Sequence, residues 1–247
     1  MKKALLLLAF LLPTAALAAE DIFDLAGHGT ADQVRSAIAG GANVNQKDAR
    51  GRTPLMRAAA LTMDPAVTTA LLGAGAPVEE KDAKGLTALM LAARLNARPE
   101  IAASLLRAGA AANAAAPDGE TPLLAAAATN NNPAVLSTLL AAGARIDARN
   151  ADGMSALMLA AMLNESPQVV TTLIKAGARV DERGPGGRTA LMYAARYSTV
   201  PDVVSALLKG GADWKLKSDA GLAAGDYARA NLNLRGTFVL RLLGPRG

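Results

Sequence analysis

A single histidine, His28, and no cysteine limit the chemistry open to this chain of 247 residues. A Ser-His-Asp relay would have to recruit His28, which stands in the turn-like Gly27-His28-Gly29, and no serine occupies the elbow sequence that exposes a nucleophile. Zinc needs clustered thiolates or imidazoles and calcium a concentrated loop of carboxylates. Here the acidic residues are scattered, and Asp48, Asp82, Asp118 and Asp152 read as turn formers. Gly184-Pro185-Gly186-Gly187 is rich in glycine but lacks the lysine of a phosphate-binding loop, and reads as a permissive turn. Neither a catalytic set nor a cofactor or metal site is expected.

The elements that position these residues repeat. Gly51, Gly85, Gly119, Gly153, Gly187 and Gly221 are spaced by 34, as are Gly41, Gly75, Gly109, Gly143, Gly177 and Gly211, and the prolines at 65, 99, 133, 167 and 201. Three markers in one register require a repeat architecture. Within each unit Thr53-Pro54, Thr87-Ala88, Thr121-Pro122, Ser155-Ala156 or Thr189-Ala190 supplies a hydroxyl cap and a first-turn residue for a short apolar helix. The later proline opens a second helix, preceded by the good caps Asp64, Asn132 and Ser166 and the poor ones Arg98 and Val200. That helix ends at a glycine suited to a left-handed stop, and an extended arm with a tight turn leads to the next unit. Helix pairs this short cannot bury an apolar face alone, so the units must stack into an elongated, all-α solenoid.

The pattern Gly51-Arg52-Thr53-Pro54-Leu55, Ala58-Ala59, Leu71-Leu72 and Gly75-Ala76 resembles the ankyrin repeat, and the likeness extends over nearly all of the chain after about residue 20. It implies stacked helix-turn-helix units with β-hairpin-like arms. Two departures stand out. Where the family usually has His after Thr-Pro-Leu, this chain has Met56, Met90, Leu124, Met158 and Met192, so apolar packing is expected in place of a polar network. The Gly-His turn between helices is replaced by a loop one residue longer, giving 34 residues rather than the usual 33.

Residues 1–18 read as a cleaved secretory leader: Lys2-Lys3, an apolar core from Ala4 to Leu12 too short to span a bilayer comfortably, then Ala16-Leu17-Ala18. Its style suggests a secreted or periplasmic bacterial protein. Residues 19–47 form a degenerate N-terminal cap with acidic Glu20, Asp21, Asp24 and Asp32. Full units are expected at 48–81, 82–115, 116–149, 150–183 and 184–217, and a C-terminal cap over 218–247. Trp214 stands in register with Val44, Val78, Ile146 and Val180 and reads as core filler. Without Lys2 and Lys3 the chain has 24 basic and 21 acidic residues, a net charge near +3, too balanced to argue for nucleic acid. No second long apolar run follows, so no membrane span is expected after cleavage.

The resemblance implies that binding resides on a concave face made of the turn tips and the exposed ends of the first helices. At the tips this places Arg52, Leu86, Glu120, Met154, Arg188 and Leu222; at the helix ends Ala60-Leu61, Arg94-Leu95, Ala128-Thr129, Met162-Leu163 and Arg196-Tyr197. Leu95, Met154, Met162, Leu163 and Tyr197 form a candidate apolar stripe, flanked by Arg52, Lys84, Arg94, Arg188 and Arg196. The expected function is noncatalytic binding of another protein in the bacterial periplasm, inhibiting or scaffolding an envelope enzyme or toxin. An arginine-flanked groove would favour a partner with acidic residues around an apolar centre. The alternative is a binder of anionic envelope material such as lipopolysaccharide or wall polymer.

Overall fold

The computed structural model describes residues 21–243; the expected leader lies outside them. The first helices of successive units are α1 (Ile22–His28), α3 (Pro54–Leu61), α5 (Ala88–Leu95), α7 (Pro122–Thr129), α9 (Ala156–Leu163), α11 (Ala190–Tyr197) and α13 (Ala224–Arg229). The second helices are α2 (Ala31–Ala39), α4 (Pro65–Gly73), α6 (Pro99–Arg107), α8 (Pro133–Ala141), α10 (Pro167–Lys175) and α12 (Pro201–Lys209), and α14 (Val239–Leu242) closes the stack against α12 and α13. Each first helix packs between the first helices of its neighbours, and each second helix does likewise, giving an all-helical solenoid. Among the described residues there is no strand, only isolated bridges at Arg149–Ser155 and Lys217–Ala223. The arms are therefore turns rather than paired strands.

Local chemistry sets the helix starts. The side chains of Thr53, Thr87, Thr121 and Ser155 accept from the backbone N–H three residues on, at 3.3 to 3.4 Å, satisfying donors that a helix start leaves free. Asp64 and Asn132 cap the second helices, each accepting from a backbone N–H two residues on. Ser166 does not, contrary to expectation: its hydroxyl donates to Gln168 Oε1 (3.1 Å) instead. Thr189 also fails to cap, and its buried hydroxyl has no partner. Both glycine series adopt left-handed backbone, as at Gly153 (φ 76°) and Gly177 (φ 95°), a conformation that only glycine takes without strain. At the tips, Asp48, Asp82 and Asp118 accept backbone N–H bonds as turn formers do. In the fourth unit it is Asn150 rather than Asp152 that holds Met154 N–H (2.9 Å).

The core runs the length of the stack. Met56, Met90, Leu124, Met158 and Met192 are essentially inaccessible, so the position that the family gives to His is filled by apolar packing. The alanines of the first helices are buried as well, which lets neighbouring helices approach closely. Trp214 is half-buried against the same core, as Val78, Ile146 and Val180 are.

Polar groups also couple the units. The loop between paired helices carries, at equal register, Thr62, Asn96, Asn130, Asn164, Ser198 and, after a one-residue slip, Asn231, all buried. Asn130 Oδ1 accepts from Asn132 N–H (3.0 Å) in its own loop, while Nδ2 donates to Ala93 O and Asn96 O of the preceding unit, both at 2.9 Å. Asn164 repeats this toward Ala127 O and Asn130 O, and Asn231 toward Ala195 O and Ser198 O. A buried amide with every group satisfied fixes one arrangement of neighbours. Successive tips are joined too, by Ala83 N–H to Arg50 O (2.9 Å), Ala151 N–H to Asp118 O (2.8 Å) and Asp219 N–H to Gly186 O (3.0 Å). Pro117 and Pro185 stand at the equivalent place in the intervening tips and have no N–H to give.

The amide bridge is missing at Thr62, whose hydroxyl bonds only to Asp64 of its own loop, and both devices lapse together between the fourth and fifth units. Between the tips at Gly153 and Gly187, Pro185 removes the backbone bond, and Ser198 bonds only within its own loop, to Val200. A groove of about 540 Å³ opens between α10 and α12 on the opposite side of the same step. The Arg149 guanidinium, donating to Arg183 O (3.1 Å) and paired with Glu182 (2.9 Å), bridges it instead. Ser198→Asn is therefore expected to restore the missing amide bridge and raise stability by about 1 kcal/mol, read as a higher denaturant midpoint at unchanged slope.

Candidate functional site

Because first helices stack side by side, at the roughly 10 Å spacing of packed helices, residues of equal register fall into rows. The row formed by their last residues is Leu61, Leu95, Thr129, Leu163 and Tyr197. Four of these are large and apolar yet exposed: Leu61 41%, Leu95 57%, Leu163 53% and Tyr197 47%. Thr129 interrupts the row, its hydroxyl donating to Arg94 O (2.9 Å) across the step. Met63, 68% exposed, stands in the loop that follows Leu61. Single exposed apolar side chains are ordinary, but an aligned row of them is the kind of feature that contact surfaces are built from. The neighbouring row contains half-buried Arg94 and Met162 and exposed Arg196.

The tips are less uniform than expected. Leu86 and Met154 are 7% and 6% exposed and belong to the core, so neither can carry a partner. At this position an apolar side chain folds inward, whereas Arg52, Glu120 and Arg188 stay half-exposed and keep their charges hydrated. Leu222, at the last tip, remains 40% exposed.

The arginine flank also divides. Arg52 is paired with Asp48 (Nη2 to Oδ2 2.7 Å), and Arg94 with Glu120. Burial pushes the Asp48 carboxyl up, but the N–H groups of Arg52 and Arg50 and the Arg52 guanidinium outweigh it and hold it below the ordinary carboxylate range. These two arginines of the N-terminal part of the face are thus neutralised internally. Lys84 is exposed, and Lys84, Arg188 and Arg196 have no carboxylate at ion-pair distance among the described residues. Arg188 Cζ lies 5.3 Å from the centroid of the Tyr227 ring, and Arg196 Cζ 5.9 Å from that of Tyr197.

The structure therefore brings Leu95, Met162, Leu163, Arg196 and Tyr197 onto one surface and sets Leu86 and Met154 inside. Leu61, which the resemblance also places on the face, joins them, and exposed Met63 stands in the loop that follows it, outside the sequence expectation. Tyr227, against which Arg188 packs, is buried in the core as Leu86 and Met154 are, and lies in the divergent last unit, where register is weak. His28 is the basic residue of the last turn of α1, and among the described residues no three of His, Asp and Glu gather as metal ligands. No helix among them is long and apolar enough to cross a membrane.

Comparison with known proteins fits this arrangement. A family model described as ankyrin repeats (3 copies) matches residues 22–116, 56–150 and 123–218. The crystal structure of the human ASB11 ankyrin repeat domain is similar to this chain with a TM-score of 0.76 and 26% identity, over 92% of this chain and 99% of that one. A search of curated proteins returned no match. Ankyrin repeats generally mediate protein–protein binding, and the fold is typically noncatalytic. With family matches spanning residues 22–218 and a solenoid of stacked helix pairs, the chain belongs to the ankyrin-repeat family.

Proposed function

We propose that this chain is a noncatalytic module of the bacterial periplasm that grips another protein along the ends of its first helices, holding an envelope enzyme or toxin in check or assisting its assembly. The observation that carries this reading is the exposed row Leu61, Leu95, Leu163 and Tyr197, which end successive first helices at equal register, whereas the other exposed large apolar side chains, Met63, Leu222, Leu232, Phe238 and Leu242, are scattered over a loop and the C-terminal cap. Tyrosine, methionine and arginine beside that row are types enriched at protein interfaces. The compartment rests on the sequence of residues 1–18, with its basic start, apolar core and Ala16-Leu17-Ala18. When the full gene is expressed in a bacterial host, the tagged product is expected in the periplasmic extract with a mass that begins at Ala19. Retention of residues 1–18 in a cytosolic fraction would overturn the placement.

A second reading, attachment to anionic envelope polymers, draws on the uncompensated Lys84, Arg188 and Arg196. It differs in outcome: polymer binding falls steeply with salt and has no fixed stoichiometry, whereas a protein complex seated on the apolar row keeps a defined ratio in 0.5 M salt, an ionic strength at which surface charges are about fully screened.

A further inference from the structure

The chain has three tyrosines, and all three gather in the fifth unit and the C-terminal cap, Tyr197 exposed and Tyr193 and Tyr227 buried beneath the surface. Tyr193 and Tyr197 lie on α11 and Tyr227 on α13. The Tyr227 hydroxyl bonds with Ser218 Oγ (2.9 Å) and accepts from Arg188 Nε (3.4 Å), while Tyr193 donates to Pro185 O (3.2 Å). Arg188 and Arg196 face these rings without a carboxylate at ion-pair distance, unlike Arg52 and Arg94 in the earlier units. Burial pushes the Tyr227 phenol up, yet the Ser218 hydrogen bond and the charges of Arg188 and Arg196 more than offset it and hold the phenol below the ordinary tyrosine value. The site is thus a surface patch of uncompensated positive charge, backed by aromatic rings and bordered by the apolar Met162, Leu163 and Tyr197.

We infer that Arg188 and Arg196, held by Tyr227 and Tyr197, form an oxyanion subsite that takes a carboxylate from the bound polypeptide. This deepens the protein-binding reading and rests on it for the source of the carboxylate. Guanidinium is the donor whose planar fork matches the two oxygens of a carboxylate, and the ring beneath each arginine restricts its orientation, which lowers the cost of ordering it on binding. Since Arg52 and Arg94 are already neutralised internally, leaving Lys84 on its own against the Arg188–Arg196 pair, the partner has a preferred polarity. Its acidic end meets the fifth unit and the C-terminal cap, and its apolar residues run back over Leu163, Leu95 and Leu61.

The test uses two peptides that differ in one group, acetyl-Leu-Ala-Ala-Glu-amide and its Gln twin, titrated into the isotopically labelled chain and followed by NMR at the arginine Nε–H and tyrosine ring signals. The Glu peptide is expected to give saturable shifts at Arg188, Arg196, Tyr197 and Tyr227 with a Kd of about 1 mM, at least about tenfold tighter than the Gln peptide. Helices α3 to α7 should be unmoved, and the response should vanish in the Arg188→Gln/Arg196→Gln variant, whose backbone amide spectrum verifies its fold. Equal responses to the two peptides, or none up to about 50 mM, would overturn the subsite. Inorganic phosphate at matched ionic strength binding tenfold tighter than the Glu peptide would make it a phosphoanion site and overturn the carboxylate assignment. The probe is independent of any partner, so its failure leaves the apolar row standing, and failure of the row leaves this subsite standing.

Discussion

Asn130→Ala is expected to lower the stability of the folded chain by about 3 kcal/mol, because one truncation removes three hydrogen bonds inside a dry loop. The Ala93 and Asn96 carbonyls lose their donor and the Asn132 N–H loses its acceptor. Buried polar groups left unpaired bear the full cost of desolvation, so the loss exceeds what the net value of a typical hydrogen bond would give. For a domain of this size it corresponds to a fall in Tm of about 6–12 °C. The exposed neighbour makes the control: Asn131→Ala should change stability by no more than about 0.5 kcal/mol. A thermal melt in which the two variants behaved alike would remove the asparagine series from the account of what holds adjacent units together.

The second large effect concerns binding. Leu95→Asp and Leu163→Asp should each weaken capture of the protein partner about thirtyfold, near 2 kcal/mol, as expected of anchors at the centre of an interface. Both side chains are more than half exposed, so circular dichroism and thermal melting should be unchanged. Charge reversal of Arg94 is a poorer probe, since it also breaks the pair with Glu120. A complex that survives the Leu95→Asp/Leu163→Asp variant, measured by surface plasmon resonance, would show that the ends of the first helices are not the docking surface.

Much of the architecture could be read from the chain because its signals are local and repeated. Left-handed glycines, hydroxyl caps and the Met56 series each have a cause within a few residues, and repetition in one register multiplies the signal. What escaped has its cause elsewhere. Leu86 and Met154 were read as surface because that position varies from unit to unit, yet Arg52 or Glu120 at the same place points to water while leucine and methionine turn to the core. The partners of Arg52 and Arg94 lie 4 and 26 residues away, and only folding shows that the second exists. The asparagine series was hidden by its own substitutions: Thr62 and Ser198 stand in it, and a polar residue in a polar loop looks solvated until the preceding unit closes over it. Ser166 was expected to cap because serine commonly does, but Gln168 captures its hydroxyl.

The interval from Gly153 to Gly187 gives the molecule a crease. Apolar surfaces can slide over one another by small amounts, whereas backbone and amide hydrogen bonds cannot lengthen without breaking, so bending under load should concentrate where Pro185 and Ser198 reduce the bonding to the side-chain bridges Arg149 to Arg183 O and Asp213 N–H to Asp181. The fifth unit and the cap, which hold Arg188, Arg196 and Tyr227, would then swing as one rigid paddle against the Leu61–Leu95–Leu163 track. A ligand long enough to touch both would act as a splint, and amide exchange along α11 should slow on binding more than the direct contacts alone account for.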